Sequence, residues 1–470
     1  MQFLSWEFLA ALAGVFLLYW SFPRRPWQNL LLLGTSLGLI LYLDPAALAI
    51  LAGSTFLEWL IALRLGSTAS QVGRFRLLLL SVALNAAQLA FFKYSQFFLP
   101  QMTGLLHHLG FRTGMLRILM PVGLSFWTLQ KMTLTLDVFY RRRPAERNFL
   151  NCLLFTSFFP TLLSGPIEYS RNLLPQFEKT RKWDAHRFSE GVWLFAMGAF
   201  LKAVVADNVA SCAEDLLSPG NSGISILLGI WAYALQIFGD FAGYSYMARG
   251  CARFLGIDVT QNFLAPYLSR NLSDYWKHWH ISLSTWLNDF IFVPTSMTFR
   301  GWGTASIVFA IWVTFLVSGL WHGTGLNFVV WGCIHALGLT LFSLTRRLRK
   351  RFKDHSGRDG WLKWVAVILT FNWACLGYIF FRSPNLPKAM QQLGSLFHNF
   401  WSPIAPSLNW GTLVLSALGV FWLQLRILRT RNVFWIFEEA VWYRVIFYLV
   451  LGFLLLRYYA PSDRFIYFQF

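Results

Sequence analysis

His322, in Trp321-His322-Gly323, and His280, in Trp279-His280-Ile281-Ser282, are the residues of this sequence whose type and setting best suit chemistry in an apolar medium. His322 falls where one apolar run, 303 to 320, ends and another, 325 to 344, begins, with Gly319, Gly323 and Gly325 around it. A charged group at mid-membrane depth costs about 2.5 to 3.5 kcal/mol on insertion scales, so an ionisable residue there is a functional candidate by default. Histidine escapes part of that cost by staying neutral. A neutral imidazole is also the form that accepts a proton from an incoming hydroxyl or thiol. The flanking glycines let backbone approach a substrate closely. On these grounds alone, a structural histidine with satisfied hydrogen bonds stands as an equal alternative.

Asn271 to Phe290, NLSDYWKHWHISLSTWLNDF, reads as one amphipathic helix opened by Ser273 as N-cap. A 3.6-residue period gathers Trp276, His280, Leu283 and Leu287 on one face, beside Trp279 and Trp286, with Asp274, Lys277 and His278 towards another. Such a helix suits the membrane interface or the wall of a funnel entering the protein. His335 follows His322 in the next apolar run. If one continuous helix carried both, they would lie ~20 Å apart and could not share a catalytic centre. Asp240, in Ile237-Phe238-Gly239-Asp240-Phe241, is an acid inside an apolar run, expected to pair with an arginine or with backbone donors. Trp321, Trp279, Asp240, Asn288 and His335 are the expected substrate-contacting residues around the two catalytic candidates.

Other motifs carry less. His355-Ser356-Gly357-Arg358-Asp359-Gly360 matches an H-x-x-x-D-G signature of soluble acyltransferases, but here it occupies a short polar loop with no soluble domain to build a tunnel around it. Walker, H-E-x-x-H, G-x-S-x-G and G-x-G-x-x-G patterns are not evident. The five cysteines stand singly, without C-x-x-C or metal-ligand spacing, so no metal site is expected.

The elements that must position these residues are membrane spans. The chain has 470 residues, 56% hydrophobic and only 13% charged, with a mean hydropathy of +0.48. It cannot hide that apolar surface in an ordinary soluble core. About a dozen apolar runs of spanning length recur, centred on residues 6 to 22, 28 to 43, 46 to 63, 77 to 99, 115 to 138, 188 to 217, 224 to 247, 303 to 320, 325 to 344, 361 to 380, 410 to 427 and 441 to 457. The first lacks a basic leader and a small-residue cleavage site, and is expected to be a retained span. The net charge of +19 points to nucleic acid only until the charges are located. Arg24-Arg25, Arg64 to Arg76, Arg141 to Arg143, Lys179 to Lys182, Arg346 to Lys353 and Arg426 to Arg431 fall on alternate sides of the spans, the positive-inside pattern, which puts both chain ends outside. Residues 149 to 182, broken by Pro160, Gly165-Pro166 and Pro175, read as a re-entrant element packed inside protein rather than a crossing. The expectation is a single membrane-embedded, all-α domain over 1 to 470, with its catalytic core in 118 to 345, the re-entrant segment at 149 to 182 and an amphipathic segment at 258 to 300. No internal repeat is visible.

Several of these segments together resemble the membrane-bound O-acyltransferase family, in its bacterial polysaccharide O-acetyltransferase branch, that of alginate acetylation. The resemblance is carried by FGDFAGYSYMARG from Phe238, by NFLAPYLSRNLSDYWKHWHISLSTWLNDFIFVP ending at Pro294, and by SGLWHGTGLNFVVWGCIHA at 318 to 336. It extends to Pro121-Val122-Gly123-Leu124-Ser125-Phe126, to Phe158 to Phe177 with Ser164-Gly165-Pro166-Ile167, and to the terminal Phe465 to Phe470. The sequence departs from the pattern at Pro294-Thr295-Ser296-Met297, where relatives commonly have Pro-Leu-Gly-Gly, and at His278, where an arginine is usual.

The resemblance implies that His322, in Trp-His-Gly, is catalytic and that His280, in Trp-His-Ile-Ser, is functionally important. It further implies a ring of 11 to 12 helices around a thinned centre, with a cytoplasmic funnel leading to the histidine. The implied reaction moves an acetyl group from cytoplasmic acetyl-CoA, a substrate rather than a bound cofactor, across a bacterial inner membrane. The group then O-acetylates an extracytoplasmic polysaccharide, alginate, cellulose or peptidoglycan, through a periplasmic transferase of the SGNH-hydrolase type. The expected surroundings are membrane lipid and no nucleic acid. Two other readings are D-alanyl transfer to teichoic acid or acylation of a lipid or protein, and, outside acyl transfer, a transporter or flippase, which leaves the two Trp-His motifs unexplained.

Overall fold

A computed structural model describes residues 3–109, 119–218, 220–221, 223–346, 360–398, 400–401 and 409–459, and among these there are helices and turns but no β-strand. The H-x-x-x-D-G match at 355 to 360, the basic run beyond Arg346 and the terminal Phe465 to Phe470 lie outside the described residues, save Gly360. Among the described residues, ten helices are long and apolar enough to cross a membrane: Arg25–Leu43, Pro45–Ser67, Gln71–Ser95, Ala185–Leu216, Ile224–Phe254, Thr304–His322, Leu326–Leu344, Leu362–Arg382, Trp410–Thr430 and Val441–Tyr458. The two remaining sequence runs give shorter helices, Trp6–Ser21 and Leu124–Phe139, each of 16 residues. The chain is a polytopic, all-helical membrane protein.

Local signals set many of the helix starts. Asp44 caps Pro45–Ser67 by accepting the Ala47 N–H at 3.0 Å, with Pro45 in the first helical position where its missing N–H is harmless. Asn271, Asn385 and Asn409 cap Leu272–His278, Leu386–Phe397 and Trp410–Thr430 in the same way.

The chain divides into two compact units, Met1–Val192 with Ala248–Thr260, and Trp193–Met247 with Gln261–Phe470. In the first, residues 149 to 182 form two short helices, Phe149–Ser157 and Ser170–Phe177, joined by an irregular stretch, and every residue from 152 to 170 is buried. Side chains of Leu124–Phe139 satisfy that stretch. Gln130 accepts the Glu168 N–H at 3.2 Å, and Asp137 accepts the Ser170 hydroxyl and pairs with Arg171, both at 2.8 Å. Irregular backbone buried away from water requires such partners for its polar groups.

The second unit carries every candidate site residue. Its centre is an antiparallel hairpin of Thr304–His322 and Leu326–Leu344. The two backbones touch: a Cβ on Gly319 would stand 2.5 Å from the Phe328 carbonyl oxygen, and one on Gly332 would stand 2.4 Å from that of Phe315. Small residues at such crossings replace the hydrophobic drive that lipid removes. A second close crossing, Gly239-x-x-x-Gly243, faces a seven-residue π-helix, Phe200–Ala206, inside the long Ala185–Leu216 span. A Cβ on Gly239 would meet the Leu201 carbonyl at 2.7 Å, and one on Gly243 would meet the Lys202 nitrogen at 2.9 Å.

Candidate active site

His322 is the last residue of Thr304–His322, and the break that follows positions it. Gly323 is extended, its N–H closes on the Gly319 carbonyl at 3.2 Å, and the next helix starts only at Leu326. The continuous helix considered from sequence is therefore absent, because Gly323-Thr324-Gly325 turns the chain back on itself. His322 is 6% exposed and lies among aromatic rings, with centroids at 4.8 Å (Trp321), 4.9 Å (Trp331) and 5.1 Å (Phe381).

The reversal also brings His335 back towards His322. The ring of Trp331 lies 4.9 Å from His322 and 5.0 Å from His335, so a single indole separates the two histidines instead of ~20 Å of helix. His335 is buried, stacks on Tyr275 at 6.5 Å and meets Trp276 edge-on at 4.9 Å.

His280 occupies a kink, not a helix face. The expected continuous helix over 271 to 290 is two helices, Leu272–His278 and Ile281–Leu287, followed by a π-helix, Asn288–Phe292, and Val293–Thr298. Its N-cap is Asn271 rather than Ser273. His280 takes a left-handed backbone, φ 45° and ψ 55°, uncommon for a side chain of this size and sustained only where surroundings impose it. Asn262 imposes it here, its carbonyl accepting the Ile281 N–H at 3.0 Å and its side-chain oxygen the Ser282 N–H at 3.2 Å. The His280 ring packs 4.6 Å from Phe241 and 6.3 Å from Trp321, the indole next to His322. Burial pulls its pKa from 6.5 down to about 3, so this imidazole is neutral at physiological pH.

The other sequence candidates separate. Trp279 points into an aromatic cluster, stacked on Tyr275 at 5.8 Å and Tyr267 at 5.9 Å, where the hydroxyls of Tyr267, Tyr378 and Tyr275 form a chain. Asp240 pairs with a lysine rather than an arginine. Lys202 reaches it from the π-helix at 2.8 Å and reaches Asp207 at 2.7 Å. The carboxylate thus serves a buried ion pair, while the adjacent Phe241 touches His280. Asn288 lines a cavity of about 560 Å³ in the second unit, whose walls also include Trp276, Leu283, Ile311, Phe315 and Ser318 and which holds two basic residues, Lys277 and Arg346.

Sequence reasoning missed Lys202, Trp331 and this cavity. Lys202 carried a signal, a lone charge in an apolar run. Trp331 carried none, being one of 23 tryptophans. Among the described residues no group of three His, Cys, Asp or Glu side chains is placed to hold a metal ion.

Two buried histidines, His322 and His335, thus flank the indole of Trp331, and residues of the same hairpin line an apolar cavity that holds basic groups. The sequence profile of the membrane-bound O-acyltransferase family matches residues 122–381, more than half the chain and all the site residues above. This chain belongs to the membrane-bound O-acyltransferase family. It is 31% identical over 436 residues to the probable alginate O-acetylase of Pseudomonas aeruginosa, covering 91% of this chain and 82% of that one. It is 30% identical over 416 residues to the peptidoglycan O-acetyltransferase of Helicobacter pylori, covering 81% and 76%. A shorter match, 28% over 275 residues and 56% of this chain, joins it to the teichoic acid D-alanyltransferase of Bacillus subtilis, of which it covers 69%. This membrane-bound O-acyltransferase is accordingly a multi-pass acyltransferase.

Proposed function

We propose that this enzyme takes an acetyl group from acetyl-CoA on the cytoplasmic side of a bacterial inner membrane and passes it towards an extracytoplasmic polysaccharide, with His322 as general base. The observation that carries the reading is the two-ended hairpin. One end holds His322; the other leads to Arg346, the first residue of a basic run that the positive-inside rule assigns to the cytoplasm. Between them runs an apolar cavity that includes Lys277 and Arg346.

The helical rise from Trp331, the ring against His322, to Arg346 is ~22 Å. A donor gripped by its anionic head at Arg346 must therefore carry its acyl group on a long thin arm. Coenzyme A has such an arm; a compact donor such as acetyl phosphate does not. His322 accepts the proton of an acceptor hydroxyl as that oxygen attacks the thioester carbonyl. The C–S bond breaks, and the departing thiolate takes the proton back as a thiol. His280, held neutral in its strained kink one ring away, orients groups at the same centre.

The polysaccharide acceptor follows the alginate and peptidoglycan relatives, and a periplasmic transferase of the SGNH-hydrolase type is proposed as the partner completing delivery. The shorter similarity to a teichoic acid D-alanyltransferase favours a second reading, in which the same arm arrives on a carrier protein bearing D-alanine. Purified protein in proteoliposomes, supplied with labelled acetyl-CoA or with D-alanyl carrier protein plus a periplasmic fraction, separates the two: transfer from acetyl-CoA supports the first, and transfer from the carrier alone refutes it.

A further inference from the structure

Three nitrogens between the cavity and His322 have no hydrogen-bond partner among the described residues: Trp276 Nε1, Trp331 Nε1 and His335 Nδ1. They belong to three rings in mutual contact, with centroids 4.9 Å (Trp276 to His335), 5.0 Å (Trp331 to His335) and 5.8 Å (Trp276 to Trp331) apart. Trp331 and His335 are only 3% and 1% exposed. Leaving a buried donor or acceptor unmet is costly, so three together require an account. Local packing does satisfy polar groups beside them. The neighbouring hydroxyl of Tyr275 bonds that of Tyr378 at 2.8 Å, and Tyr267 donates to the Ala234 carbonyl. The glycine at 377 keeps the unmet set as it is, since a Cβ there would stand 2.7 Å from His335 Nε2 and 3.4 Å from Trp331 Nε1. Trp276 forms part of the cavity wall, and Trp331 rests on His322.

We propose that these three nitrogens are a binding station for the carbonyl end of the donor's arm. The two indole N–H groups donate to carbonyl oxygens of the thioester and its nearest amide, and His335 Nδ1 bonds the amide N–H. The ligand class is an acyl thioester on a phosphopantetheine-type arm, whether carried by coenzyme A or by a carrier protein. The inference rests on the donor reading above. Trp276, Trp331 and His335 are positioning residues, aligning the thioester carbon for His322; they make and break no covalent bond.

The test uses the full chain with ¹⁵N-labelled indoles, the resonances of residues 276 and 331 being assigned from Trp276→Phe and Trp331→Phe, which keep a ring and lose the N–H. The probe is S-acetonyl-CoA, which retains the carbonyl but cannot transfer it. Both resonances shift on binding. In the transfer assay each Phe variant raises KM for acetyl-CoA about tenfold, the equivalent of one hydrogen bond, with kcat changed far less. His335→Gln, which keeps a polar group, retains more of the wild-type KM than His335→Leu. A packing role alone would lower folded yield without splitting KM from kcat.

If S-acetonyl-CoA competes with acetyl-CoA while both resonances stay fixed, the donor reading stands and the station is overturned, its nitrogens meeting buried water only. If the CoA analogue neither binds nor competes, but a carrier protein bearing the same arm moves both resonances, the station stands and the acetyl-CoA reading fails. If neither probe moves them, the station is refuted.

Discussion

His322 and His335 rest against one indole, that of Trp331, at 4.9 and 5.0 Å, although the chain between them turns through a helix end, a glycine-flanked reversal and a helix start. Replacing Trp331 with Ala removes the ring that spaces them. Loss of a buried aromatic costs about 3 to 5 kcal/mol in well-packed interiors. The expected outcome is a marked fall in thermal stability and loss of transfer, whereas Trp331→Phe remains folded. Thermal melting of the two variants in detergent checks this, and equal melting of Trp331→Ala and wild type would contradict it.

His280 makes stability depend on pH in one direction. Its folded pKa, about 3, lies below its ordinary 6.5, so between these values the unfolded chain binds more protons than the folded one. Stability is therefore lost as pH falls from 6.5 towards 3 and is unaffected by this group above 6.5. His280→Asn removes that part of the dependence. Melting temperatures of the variant and wild type, measured from pH 7.5 down to pH 4, should converge as the pH falls.

Glu168 acts with the opposite sign. Burial raises its pKa from 4.5 to about 7 despite the Thr260 N–H it accepts and the nearby Arg249, so the folded chain holds the extra proton between those values. Its contribution is present at low pH and lost as pH rises through 7. The stability of wild type relative to Glu168→Gln should be greatest at pH 4.5 and diminish up to pH 7; a difference that does not change with pH would show that Glu168 does not titrate there.

Lys202, in the long π-bulged span, joins Asp207 of the same span and Asp240 of Ile224–Phe254, all three side chains at most 15% exposed. Removing one partner of a buried pair costs about 3 to 5 kcal/mol, because the other charge is left stranded. Lys202→Met should abolish folded yield, and Lys202→Met with Asp207→Asn and Asp240→Asn should recover much of it. Size-exclusion profiles of the single and triple variants decide, with no recovery in the triple variant counting against the pair.

How much of this was legible in sequence follows from which signals are local. The ten spans were readable because each is a run of apolar residues whose length the bilayer dictates, and His322 stood out because its position in such a run is costly. The kink at His280 was not readable. A period of 3.6 through 271 to 290 presumes unbroken helix, while the break depends on Asn262, which the sequence places well before it. The approach of His322 and His335 to one indole was not readable either: the break around Gly323 and Gly325 shows between two apolar runs, but which rings it brings together does not. The preference of Asp240 for Lys202 follows from a π-helix that composition does not reveal.

Lys277 and Arg346, the basic residues of the cavity, should govern donor affinity more than chemistry. Lys277→Glu with Arg346→Glu is expected to raise KM for acetyl-CoA by at least tenfold, an effect that weakens as salt screens both variants and wild type. Steady-state transfer kinetics at two ionic strengths measure it, and an unchanged KM would place the donor's head elsewhere.

The general-base role proposed for His322 is checked by incubating proteoliposomes of wild type and His322→Ala with radiolabelled acetyl-CoA and a periplasmic fraction, at matched folded protein. Label should reach polysaccharide with wild type and fall at least a hundredfold with His322→Ala, the lower scale of general-base catalysis. Equal transfer by the two proteins would contradict it.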